Sequence, residues 1–85
     1  MMYNIIFSDT ALRRFEKLEK NIQTRITAVL ERIKVRPTHF LKKLVNSSYF
    51  KLRVGDYRII IDIDFENNNI YIVEIGHRKN IYKKF

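Results

Sequence analysis

The chain contains no cysteine. Disulfides, thiolate zinc sites and cysteine nucleophiles are thereby excluded. Its two histidines, His39 and His77, are too few for most remaining zinc sites. No uncharged apolar run is longer than Ile70 to Val73, far short of the roughly 20 residues a spanning helix needs. Met1-Met2-Tyr3 leads into a strand-like pattern with no charged start or cleavage site ahead of it, so a cytoplasmic protein without a membrane partner is expected. At 85 residues the chain is too short for two cores, and one domain over 1–85 is expected. Hydrophobic residues at 46% and charged residues at 31% exclude disorder and a membrane bundle.

Acid is also scarce: 17 Lys and Arg stand against 9 Asp and Glu, a net charge of +8. Such a field attracts polyanions, and RNA or DNA is the first partner to consider. Residues 1–44 hold most of the excess, ten basic against four acidic, so the first half sets the broad field.

Hydrophobic spacing predicts an α+β fold in the order β-α-α-β-β-β, an antiparallel sheet with a helical hairpin packed on one face. Tyr3, Ile5 and Phe7 share one face of a first strand, and Ser8-Asp9-Thr10 offers helix N-caps. Ala11, Leu12, Phe15 and Leu18 recur at helical spacing up to Lys20. Asn21 can cap a second helix through Ile22, Ile26, Val29, Leu30 and Ile33, ended near Arg36 by Pro37. Thr38 to Ser48 has no clean period and is expected to be a connector.

From Tyr49 the period is two. Phe50, Leu52 and Val54 face the helices, Gly55-Asp56 makes a two-residue hairpin turn, and Tyr57, Ile59, Ile61, Ile63 and Phe65 continue the inward face. With Asn67-Asn68-Asn69 as the second turn, Tyr71, Val73 and Ile75 point inward and Ile70, Ile72, Glu74 and Gly76 outward. These registers set Arg53 opposite Arg58 and Arg58 opposite Arg78, with Lys51 one step along. Like charges facing each other cost a sheet something like 0.2 to 1 kcal/mol per pair. A row of guanidinium groups is suited to phosphate oxygens, which it binds bidentately. The same face carries Ile60, Ile70 and Ile72, which we expect a partner to cover. Asp62, Asp64 and Glu74 also lie there, with Asp62 opposite Glu74; they stand away from the arginine row, and no metal site is expected.

The stretch Tyr49-Phe50-Lys51-Leu52-Arg53-Val54-Gly55-Asp56-Tyr57-Arg58-Ile59-Ile60, followed by Ile75-Gly76-His77-Arg78-Lys79-Asn80-Ile81-Tyr82, resembles the RelE/ParE superfamily of toxins from toxin–antitoxin pairs. The resemblance covers the whole chain and implies a small RNase-like fold. RelE-type members cut mRNA in the ribosomal A site without metal or cofactor, whereas ParE-type members poison DNA gyrase. Carried over residue by residue, Lys51 matches a catalytic lysine and Arg58 a phosphate-binding arginine. Arg78 matches the arginine that stabilises or protonates the leaving group, and Tyr82 the tyrosine near the 2′-hydroxyl. Arg53, with Lys79 and Lys83, would line the RNA path.

Tyr49 stands where bacterial RelE has a second functional lysine, and the Glu and His pair of YoeB-type toxins is not evident. The implied partners are a cognate RelB-like antitoxin, the ribosome and mRNA. Lys51 with Tyr82 favours the nuclease, because a pure binder needs neither a base nor a positioned hydroxyl. A gyrase inhibitor and a non-catalytic RNA-binding or antitoxin-titrating relative are the alternatives.

Overall fold

The computed structural model describes residues 2–81. Strand β1 (Asn4–Phe7) leads into helices α1 (Asp9–Glu16) and α2 (Lys20–Ile33) and a one-turn helix α3 (Pro37–Phe40). Strands β2 (Lys42–Lys43), β3 (Phe50–Val54), β4 (Tyr57–Asp64) and β5 (Asn69–His77) follow. They form one sheet in the order β1-β5-β4-β3-β2. β3, β4 and β5 are antiparallel as expected, and β2, in the segment expected to be a connector, adds a strand antiparallel to β3. β1 is parallel to β5, from Asn4 beside Asn69 to Phe7 beside Ile72, so the sheet is mixed rather than wholly antiparallel.

Ser8 makes the junction between β1 and α1. Its extended backbone (φ −68°, ψ 161°) and side chain fit an N-cap, and its Oγ accepts the Ala11 N–H at 3.0 Å. The same hydroxyl donates to the Val73 carbonyl at 2.9 Å, while the Ser8 N–H donates to the Ile72 carbonyl at 2.9 Å. One residue therefore starts a helix and ties it to the far strand. α1 stops at Glu16, short of the expected Lys20, because the Gln23 amide donates to the carbonyls of Phe15 at 2.9 Å and Leu18 at 3.2 Å and so satisfies the helix end. α2 starts at Lys20 with Glu19 as N-cap, not at an Asn21 cap. It ends at Ile33, and Pro37 opens α3 instead of closing α2, with the preceding Arg36 out of the helical region (φ −142°, ψ 78°).

Ala11, Ile26, Leu30 and Ile33 of the helices pack on Leu52, Val54, Ile59, Ile61, Ile70, Ile72 and Ile75 of the sheet. Each fully buried isoleucine is worth roughly 1.5 to 3 kcal/mol, so this layer dominates the stability. Ile70 and Ile72, expected on the outer face, are completely buried here. The cause is a bulge. Ile60 pairs with Glu74 but Ile61 with Ile72, leaving Val73 as an extra residue on β5. Before it the even residues face the helices, and after it Ile75 does.

Ile60 points outward as its strand phase requires, yet it too is fully buried outside the main core cluster. Ile81, also buried, lies on the same face, where a Cβ at Gly76 would come within 3.0 Å of its Cδ1. None of the three isoleucines therefore offers surface to a partner.

The β4–β5 turn is longer than three asparagines: Asp64 pairs with Asn69, and Asn68 takes the left-handed conformation (φ 56°). Phe65, expected inward, lies in this turn, exposed and edge-on to Tyr3 at 6.4 Å. The Asn67 side-chain amide donates to the Asp64 carboxylate at 2.7 Å. The Asn67 and Glu66 N–H groups add bonds of 3.2 and 3.1 Å. The Asn67 amide, then these N–H groups, hold the Asp64 carboxyl below its ordinary value.

Two outcomes test these junctions. Ser8→Ala should lower unfolding free energy by about 1 to 2 kcal/mol in urea titrations, since it removes both a helix cap and the tether to the bulge. A lowered carboxyl stabilises the fold above its unfolded value and loses that effect as pH falls through the lower folded value. Parent and Asp64→Asn melting temperatures should accordingly differ near neutral pH and converge in strong acid.

A cationic groove on the outer face of the sheet

The outer face carries short rows of like charge that the ladders impose. Lys42 on β2 pairs with Lys51 on β3, and Arg53 on β3 with Arg58 on β4. With Phe40 at the end of α3 these four cations line a groove of about 260 Å³. Lys51 and Arg58 are half-buried, while Lys42, Arg53 and Phe40 are exposed. Among the described residues that line it there is no carboxylate. Four cations converging on one cavity give it a positive character suited to an anion.

The β3–β4 turn holds this groove in shape. Gly55 takes φ +59° at its first central position, as the predicted hairpin requires. A Cβ there would also meet the Arg25 guanidinium at 3.0 Å. Arg58 folds back on the turn: its Nη1 donates to the carbonyls of Gly55 and Tyr57, both at 2.9 Å. Two backbone acceptors fix one nitrogen, and among the described residues the rest of the fork is open to a ligand.

The expected row Arg53, Arg58, Arg78 is present only in its first two members. The turn beyond Asp64 and the bulge shift the register, so Gly76 rather than Arg78 stands opposite Arg58. Arg78 lies beyond β5 at the hairpin turn, its N–H donating to the Asp56 carbonyl at 2.8 Å and its Nε 3.6 Å from the Asp56 carboxylate. Lys79 is exposed in the adjoining turn. Neither lines the groove. Tyr82 and Lys83 lie outside the described residues.

Lys42 and Phe40 take their place. Both fall in the segment expected to be a connector, and the adjacent lysines of β2 are the only sequence signal there.

The carboxylates disperse. Asp62 stands opposite Tyr71, not Glu74. Asp64 serves its own turn. Glu74 is buried, with Arg14 Nε at 3.3 Å and the Ile75 N–H at 3.0 Å from its Oε1. Among the described residues no three acidic or histidine side chains converge. A larger recess of about 340 Å³ opens between α1 and the end of β5 around Glu74. Its buried carboxylate already has cationic and backbone partners, so the smaller groove is the better seat for anion chemistry.

The family model for the ParE toxin of type II toxin–antitoxin systems, parDE, matches residues 5–82. Toxin RelG of Mycobacterium tuberculosis is 30% identical over 88 residues, which span 99% of this chain and all of RelG. Among solved structures, the RelBE2 toxin–antitoxin complex of Mycobacterium tuberculosis superposes with a TM-score of 0.79 at 30% identity, covering 92% of this chain and 100% of that one. The archaeal RelE–RelB complex of Pyrococcus horikoshii gives a TM-score of 0.81 over 94% and 99% of the two chains; at 21% identity it supports the fold alone. With a family match running from β1 past β5, the chain belongs to the ParE toxin family within the RelE/ParE superfamily, and it is a toxin of a type II toxin–antitoxin system.

Proposed function

We propose that this toxin is an endoribonuclease that cuts mRNA on the ribosome and is silenced by a cognate, RelB-like antitoxin. The observation that carries this reading is the groove of Lys42, Lys51, Arg53 and Arg58, which combines anion binding with side chains able to exchange a proton. Arginine stays protonated at any working pH, so only the two lysines can serve as bases. Lys51 sits between Lys42 and the arginine pair and is the one assigned that role.

In the reaction Lys51 takes the proton of the RNA 2′-hydroxyl, the 2′-oxygen bonds to phosphorus, and the phosphorus–5′-oxygen bond breaks. The products are a 2′,3′-cyclic phosphate and a 5′-hydroxyl that takes its proton from water. Arg58 and Arg53 meet the negative charge gathering on the phosphoryl oxygens, and this stabilisation is the larger share of the catalysis. Arg78 would offset charge on the leaving oxygen after releasing Asp56. That exposed pair is worth at most about 1 kcal/mol, so the release costs little. Tyr82 would orient the nucleotide, as the family resemblance implies.

A second reading, inhibition of DNA gyrase, is favoured by the match to the ParE family model. In that case the groove binds an acidic surface and no proton moves. The antitoxin should be acidic in either case, since it must oppose a net charge of +8.

Lys51→Arg separates the two readings. It keeps the charge but removes the base, so binding to programmed ribosomes should stay near the parental value while single-turnover mRNA cleavage falls by roughly a hundred-fold or more. Equal cleavage by parent and variant would exclude Lys51 as the base. Loss of supercoiling by purified gyrase, with mRNA left intact, would establish the second reading.

The two groove arginines should also differ in a measurable way. Arg53→Ala should weaken cleavage at an unchanged melting temperature, because Arg53 is exposed. Arg58→Ala should weaken cleavage and also lower stability by about 1 to 2 kcal/mol, having lost its bonds to the turn.

A further inference from the structure

Phe40 is 44% exposed although it is one of the larger apolar side chains, and it lies among cations. Its backbone is well anchored. It ends α3, whose Pro37 is buried, and the next residue, Leu41, is already extended (φ −105°, ψ 145°). The His39 ring meets it nearly edge-on, 4.9 Å between centroids at 77°, which steadies the ring without stacking over it.

Phe40 also belongs to two recesses at once. One is the groove with Lys42, Lys51, Arg53 and Arg58; the other lies between α2 and α3 and carries Arg32 and Arg36. An exposed aromatic ring thus stands between two sets of positive charge. Single-stranded nucleic acid presents the complementary pattern, with π-faced bases between negative phosphates, and an aromatic flanked by cations is how proteins bind it.

We propose that Phe40 is a base-stacking platform for single-stranded RNA. Phosphates on one side of the stacked nucleotide meet the sheet groove, and phosphates on the other meet Arg32 and Arg36. The proposal deepens the endoribonuclease reading and rests on its assignment of the groove to RNA. It extends the RNA path off the sheet and onto α3.

The chain contains no tryptophan, so Phe40→Trp supplies a single indole whose fluorescence reports directly on stacking. The full-length variant would be titrated with a short 2′-O-methyl oligoribonucleotide, which has no free 2′-hydroxyl to attack. An abasic oligomer of equal length and charge serves as the control. The base-bearing oligomer should quench the indole saturably and the abasic one should not. In anisotropy titrations Phe40→Leu, which keeps the bulk but not the ring, should bind the base-bearing oligomer roughly five-fold or more weakly than the parent. Phe40→Tyr should restore binding, and all the variants should melt at the parental temperature.

Equal quenching by both oligomers, or parental affinity in Phe40→Leu, would overturn the platform; a ring that contacts an acidic protein instead would give that result. If the parent leaves mRNA intact while the variants still separate by base content, the endonuclease reading fails and the platform stands. If the parent cuts mRNA and the variants do not separate, the platform alone fails.

Discussion

The bond from the Ser8 hydroxyl to the Val73 carbonyl ties the first connection of the chain to an irregularity in its last strand. A bulge leaves a backbone group without its ladder partner, and here the helix cap supplies one. Around that point β5 changes phase. Ile70 and Ile72 fall to the helices on one side of Val73, and Glu74 and Gly76 fall to the outer face on the other. The glycine opposite Arg58 leaves space that Ile81 occupies, which closes this side of the outer face and keeps the cationic groove toward β2.

The sheet tolerates its rows of like charge because the opposite face is so heavily buried. The eight largest fully buried side chains are all isoleucine, and five of them lie on the helix-facing side of β4 and β5. Two facing cation pairs cost about 0.4 to 2 kcal/mol together, an amount that burying a single isoleucine can offset. β-branched side chains also suit the pleated strand and hold few rotamers, so the face beneath the arginines is stiff. Rigid support of this kind lets Arg58 keep one geometry, with one nitrogen held by the turn, before any ligand arrives.

Much of this was legible in the sequence, and the failures have definite causes. A two-residue loop with glycine leaves one register for the β3–β4 hairpin, so the Arg53–Arg58 pair could be read directly. Three successive asparagines do not say where a turn closes. A bulge is also hidden from a period-two rule, since the residues on each side of Val73 alternate correctly by themselves. Those two effects moved Arg78 away from Arg58 and turned Ile70 and Ile72 inward. β2 leaves no trace in the hydrophobic pattern because two residues cannot display a period, and Phe40 none because a single helical turn has no amphipathic signature. Both contribute to the groove through tertiary placement, which local pattern does not encode.

The outermost strand on the groove side is only two residues long, and both are exposed lysines. A sheet edge offers unpaired amide and carbonyl groups to any passing strand, and natural proteins blunt such edges by making them short and charged. Lys42 and Lys43 do both, so two copies meeting along this margin would have to bring four ammonium groups together. The residues that draw a polyanion to the groove thus also discourage self-association, and substituting them with apolar side chains would trade affinity loss for a propensity to form fibres or precipitate.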